Sequence, residues 1–175
     1  MNGLGELKTL TKNLGRKLLL KQKNKNYRLD VKGEVEELKR FLKESHKNFV
    51  EELFLKEDGE VLVSVSEALG ALLVGSGVSS SMIRNIFGYV KKLDLETMNM
   101  NDTIQKEITY KLRLLSPKLA YIIGRAGRSE KEALTLLKIY FDNTVEKIGN
   151  DKKKFKTFVD FFESILAYHK YYGGK

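Results

Sequence analysis

Phe155, Phe158, Phe162, Ile165, His169 and Tyr172 recur at alternating intervals of three and four. An α-helix turns about 100° per residue, so this spacing puts all six side chains on one stripe, and a stripe so bulky needs a partner surface to bury it. The same period returns upstream. Ile83, Ile86, Val90 and Leu93 follow a run of serines that serve as helix caps, and Ile104, Ile108, Leu112, Leu115, Leu119 and Ile122 form a longer series. SEKE at Ser129 to Glu132 has the form of a capping box opening a helix that stops near Gly149. Pro117, the single proline, either kinks the second of these helices or begins a new one capped by Ser116. The pattern predicts an all-α protein whose residues 79–175 form a small bundle of four core helices with short connections, preceded by a helical extension.

In that extension, Val35, Leu38, Leu42, Phe49 and Leu53 share one helical face between Gly33 and the turn EDG at Glu57 to Gly59. The opposite face of this helix is strongly acidic. VLVSV at Val61 to Val65 alternates like a strand, and SEALGALLVGSG after it reads as a short helix running into a glycine-serine linker. Residues 1–32 carry one weak amphipathic patch and then a polar basic run, and are read as a flexible arm. The chain thus divides into 1–32, 33–78 and 79–175.

The formal charge of +9 is unevenly spread. Residues 1–32 sum to +7, residues 33–67 to −5 and residues 68–175 to +7. A surplus of this size points to a polyanionic partner, most often nucleic acid. The absence of cysteine excludes a disulfide framework, a thiolate metal site and a cysteine nucleophile. His46 and His169 stand far apart in the chain, which argues against a histidine zinc site. The longest apolar run, Ala68 to Gly75, falls well short of the roughly 20 residues that span a bilayer, and Leu18 to Leu20 is too short for a signal-peptide core. A cytoplasmic protein without a membrane partner is expected.

RFLKESH at Arg40 to His46 has the loose arginine-to-histidine spacing of helical ribonucleases that act on the RNA 2′-hydroxyl, with Phe41 where a polar residue is preferred. A charged helix face produces the same spacing without chemistry. GSGVSS at Gly75 to Ser80 lacks the lysine of a nucleotide-binding loop, and reads as a linker. The basic residues off the apolar stripes carry more information. Arg84 and Lys91 are two turns apart on one outer face with Lys92 beside them, and Lys111, Lys118 and Arg125 repeat at seven with Arg128 following. Such rows are able to follow a phosphate backbone, where each paired charge releases counterions whatever the base.

SSSMIRNIF at Ser79 to Phe87, SPKLAYIIGR at Ser116 to Arg125 and FFESILAYHKYYGG at Phe161 to Gly174, in this order, resemble the small subunit of type III-A CRISPR effector assemblies, the Csm complex. The resemblance covers residues 79–175. It implies a helical, non-catalytic protein, needing neither cofactor nor metal, that stacks as several copies beside the backbone subunits and binds target RNA paired with the CRISPR guide RNA. Other Csm subunits, the backbone subunit above all, are the implied partners, together with further copies of this chain. Carried over residue by residue, the basic positions are Arg84, Lys118, Arg125 and Lys170; Lys91 and Arg128 join them on helical geometry alone. His169, on the apolar stripe, is expected to be structural, and Lys170 to point away from it. The first 78 residues exceed the usual leader of the family: the acidic helix is open to a self-contact or to packing as a fifth helix, and the arm to RNA or to disorder. A ribonuclease using Arg40 and His46 and a helical DNA-binding regulator are the alternative readings.

Overall fold

The computed structural model describes residues 2–24 and 30–175, and among these the regular elements are helices. In chain order they are α1 (Asn2–Lys23), α2 (Lys32–Leu55), α3 (Gly59–Gly75), α4 (Ser80–Thr97), α5 (Lys106–Arg113), α6 (Leu115–Arg125), α7 (Arg128–Ile148) and α8 (Lys152–Tyr171). No helix among the described residues is long and apolar enough to cross a membrane.

The centre of the molecule is α3, which packs against α8, α1, α2 and α7. Val61 to Val65 is therefore helix and not strand. The side chain of Asp58 starts it by accepting the main-chain N–H groups of Glu60, at 2.9 Å, and Val61, at 3.3 Å. Alternation misled because α3 is buried around most of its circumference, and its outer positions mix Val63 with Glu60 and Glu67, so no broad polar face reveals its period. Ser64 and Ser66 are buried, and the Ser66 hydroxyl donates to the Phe161 carbonyl at 3.3 Å. Gly70 lets α8 approach: a Cβ there would stand 2.7 Å from Cβ of Tyr168 and 2.9 Å from the His169 nitrogen.

The glycine-serine stretch is a helix stop, not a linker. Val78 N–H donates to Leu73 O at 2.9 Å and Gly77 N–H to Val74 O at 3.0 Å, the paired bonds of a Schellman turn, with Gly77 at φ +85°. The chain's end repeats the device. Gly174 N–H donates to His169 O at 2.9 Å and Gly173 N–H to Lys170 O at 3.1 Å, with Gly173 at φ +94°.

Residues 2–23 are a helix, which corrects the flexible-arm reading; Lys25 and Arg28 of that arm lie outside the described residues. Leu7, Leu14 and Leu18 are buried against the rest of the core, and each contributes about 1.5–3 kcal/mol through burial. That small stripe suffices because α3 offers an apolar surface to receive it. On α2, Val35, Leu38, Leu42, Phe49 and Leu53 are buried as expected, while Glu36, Glu37, Glu44 and Glu51 are exposed. The helix folds onto the bundle, and the Tyr140 hydroxyl donates to Leu42 O across the α2–α7 contact at 2.9 Å. One apolar core runs from Leu7 to Tyr172, so residue 79 is not a packing boundary.

The four expected core helices are five segments, because the second breaks at Leu114 into α5 and α6. Pro117 is the third residue of α6, where a first-turn N–H has no intrahelical acceptor to lose, and Leu114 rather than Ser116 precedes the helix. The Ser129–Glu132 capping box does not form at the start of α7, where a glycine without a capping side chain leaves only the Glu half of such a box, two residues earlier. Gly127 is the N-cap, and Glu130 receives its N–H at 2.9 Å.

Candidate nucleic-acid interface

The helix directions gather several termini at one end of the molecule. There α3 stops and α4 starts, α7 starts and α8 stops, and the main-chain oxygen of Lys175 accepts the Ser80 N–H at the head of α4. Gly77 in the α3–α4 turn lies 4.0 Å from the Glu130 side chain when given a Cβ, which places the start of α7 beside that turn. The last turn of α1 is tied in by Gln22, whose side-chain amide donates to Tyr171 O at 3.1 Å.

Arg84, in the first turns of α4, and Lys170, in the last turn of α8, line one shallow depression with Ser80, Phe87, Glu163, Leu166 and Ala167. Both cations are exposed, and neither forms an ion pair among the described residues. The carboxylate in this depression is engaged elsewhere: Glu163 pairs with Lys91 at 2.6 Å. Lys91 also lies 3.7 Å from the buried Asp94, and the Glu163 hydrogen bond holds its ammonium above the usual lysine range. Lys91 is thus a helix-to-helix clamp whose side chain is still 46% exposed, and its charge is already shared with two carboxylates. Asp94 takes a second clamp from Lys156 of α8 at 2.6 Å.

Lys118 and Arg125 lie on the outer side of α6, away from the buried Leu115, Leu119 and Ile123. Lys118 Nζ stands 4.6 Å from the centre of the Tyr89 ring on α4, and Arg125 donates to the Tyr121 hydroxyl at 2.9 Å. Lys111, the third member of the seven-residue row, is held by Glu96 at 2.9 Å and Glu107 at 2.8 Å. Arg128 faces a different depression, between the starts of α2 and α7, lined by Lys32, Val35, Glu36, Gly75, Ser129 and Glu132. Its neighbours there include two carboxylates, so it does not continue the strip of Arg84 and Lys170.

Arg40 and His46 do not converge. Arg40 is exposed beside Glu37, Phe41 and Glu44, whereas His46 donates from Nδ1 to Lys43 O at 2.7 Å and meets the edge of the Tyr140 ring. Six residues along a helix is a rotation of about 240°, which separates the two faces. Among the described residues no group of three or more His, Asp or Glu side chains is placed to hold a metal.

A profile of the Csm2 Type III-A family matches residues 56–175, from the turn before α3 to the end of the chain. The chain belongs to the Csm2 family. It is similar to the CRISPR system Cms protein Csm2 of Enterococcus italicus, at 27% identity over 104 residues, covering 58% of this chain and 72% of that protein. Membership makes it a small subunit of a type III-A CRISPR effector complex, working with other Csm subunits.

The matched Csm2 part contains Arg84, Lys118, Arg125 and Lys170, while α1 and α2, with Arg40 and His46, lie outside it. Two further sets were not singled out from sequence. Lys21 and Lys23 are exposed in the last turn of α1, and only a tertiary contact, from Gln22 between them to Tyr171 O, brings that turn to the end of α8. Tyr89 and Tyr121 had a legible signal, since Tyr121 stands three after Lys118 and four before Arg125, off the apolar stripe.

Proposed function

We infer that this chain is a non-catalytic subunit that holds RNA, the target strand paired with the CRISPR guide, against the surface bearing Arg84, Lys170, Lys118 and Arg125. The observation that carries the reading is the convergence of Arg84 and Lys170 in one depression where, among the described residues, the lining carboxylate of Glu163 is already paired with Lys91. Exposed cations of this kind neutralise phosphates without reading bases, so affinity is modest per copy and falls with salt. Copies stacked along the effector beside the backbone subunit then raise the effective affinity through avidity.

Fluorescence anisotropy over a salt series tests this, with Arg84, Arg125 and Lys170 replaced together by alanine. Each phosphate that is no longer neutralised flattens the slope of log affinity against log salt by about 0.7–0.9, so the triple variant is expected to bind weakly with a slope reduced by about 2–3. Unchanged binding and slope overturn the assignment. In the same preparations RNA cleavage is not expected, and cleavage that His46→Ala removes would replace this reading with a ribonuclease.

A further inference from the structure

Tyr121 is 65% exposed on the outer face of α6, as exposed as Tyr110 on α5, and what sets it apart is the pair of cations beside it. Lys118, Tyr121 and Arg125 follow at intervals of three and four, so they are neighbours on one outward stripe. The Arg125 guanidinium is 5.6 Å from the Tyr121 ring centre, and its Nη1 donates to the tyrosine hydroxyl at 2.9 Å. That bond restrains the ring from its polar tip and leaves ring surface open to solvent. Across the α4–α6 seam, the half-buried Tyr89 lies under the ammonium of Lys118. The patch therefore holds two rings and two cations, and neither Lys118 nor Arg125 forms an ion pair among the described residues.

A cation recognises a phosphate, but an exposed ring beside it recognises something flat. Every nucleobase has a π face, and alternating rings and cations are how proteins hold single strands without reading their sequence. A base inside a duplex is already stacked on both sides, so such a ring takes only an unpaired one. We propose that Tyr121, braced by Arg125 and flanked by Lys118, is a stacking platform for an unpaired base of single-stranded RNA, whose adjoining phosphate lies between the two cations. Tyr89 acts through Lys118 and is a positioning residue. Tyrosine and arginine also anchor protein interfaces. Two unneutralised cations in a CRISPR effector subunit favour the nucleotide. This site rests on the RNA-holding reading above, and takes a base of that RNA left unpaired with the guide, a requirement that phosphate contacts alone do not have.

The test uses the full chain, an oligouridine strand, the same strand with abasic positions, and an RNA duplex, all followed by anisotropy. The wild-type chain is expected to bind the intact strand about 5- to 100-fold more tightly than the abasic one. Tyr121→Ala removes that difference, Tyr121→Phe retains most of it, and duplex binding stays as it was. Because Tyr121 is exposed, thermal melts of both variants should overlay the wild type. Equal binding of intact and abasic strands by the wild type overturns the platform while leaving the phosphate reading in place. A loss in Tyr121→Ala that extends equally to the duplex overturns it too, as does a loss of self-association in place of base-dependent binding. Failure to bind any of the three RNAs overturns both readings.

Discussion

His169 is fastened to Val78: its ring Nε2 lies 2.8 Å from the Val78 carbonyl oxygen, joining the last turns of α8 to the α3–α4 turn. A carbonyl only accepts, so Nε2 carries the proton and Nδ1 the lone pair. Nδ1 is buried against Gly174 and has no hydrogen-bond partner among the described residues, and any side chain at Gly174 would collide with the ring. The histidine is therefore structural, and a second ring proton would be buried with nothing to receive it.

Burial holds the His169 pKa below its ordinary value of 6.5, with the nearby Lys170 charge acting in the same direction against the Val78 bond. A neutral form favoured by folding means that the unfolded chain binds the proton more readily, so stability is complete above about pH 6.5 and declines as pH falls through the depressed folded value. Urea midpoints between pH 7.5 and pH 5 should drop for the wild type. In His169→Gln the starting stability should be lower and that part of the pH dependence absent; an equally steep profile would sink the assignment.

Gly70→Ala is expected to cost about 1–3 kcal/mol, because its methyl would meet the Tyr168 Cβ and the α8 main chain, neither of which is the free end of a side chain. Gly88→Ala in α4, where nothing lies within 4 Å, should instead gain up to about 1 kcal/mol from helix propensity. Chemical denaturation of the two variants side by side checks the contrast.

The buried Asp94 and its two clamps predict an asymmetry. Lys156→Met leaves a carboxylate that is 2% exposed with only the longer Lys91 contact, whereas Asp94→Asn leaves half-exposed lysines that water can solvate. Losing the cation should therefore cost more, by about 1–3 kcal/mol against a smaller loss for the amide. Thermal unfolding of both variants measures it, and the reverse order would refute the clamp.

Leu14 tests whether the first helix belongs to the core. It is fully buried, and the Gly75 position on α3 would touch it if it carried a Cβ. Leu14→Ala should cost about 2–5 kcal/mol, a core-sized penalty that a detached arm would not show. Denaturation with urea separates the two outcomes.

Helix by helix, legibility followed how one-sided each segment's surroundings are. The stripe from Phe155 to Tyr172 and the face from Val35 to Leu53 could be read because each helix has one wet side, and their inward residues are indeed buried. Their periodicity, with the ordered motifs in residues 79–175, determined the all-helical class and pointed to the Csm2 family that the profile match establishes. Periodicity said little for α3, whose narrow outer face carries Val63 beside Glu60 and Glu67, and for α1, whose few leucines matter only because α3 is there to receive them. The cations divide on the same ground. Spacing marked Arg84 and Lys91 alike, yet Glu163 lies 72 residues beyond Lys91, and only packing of α4 on α8 brings it to 2.6 Å. A helix's own residues set which side of it is polar, whereas whether a charge on that side meets water or a carboxylate is decided by the neighbour that tertiary folding supplies.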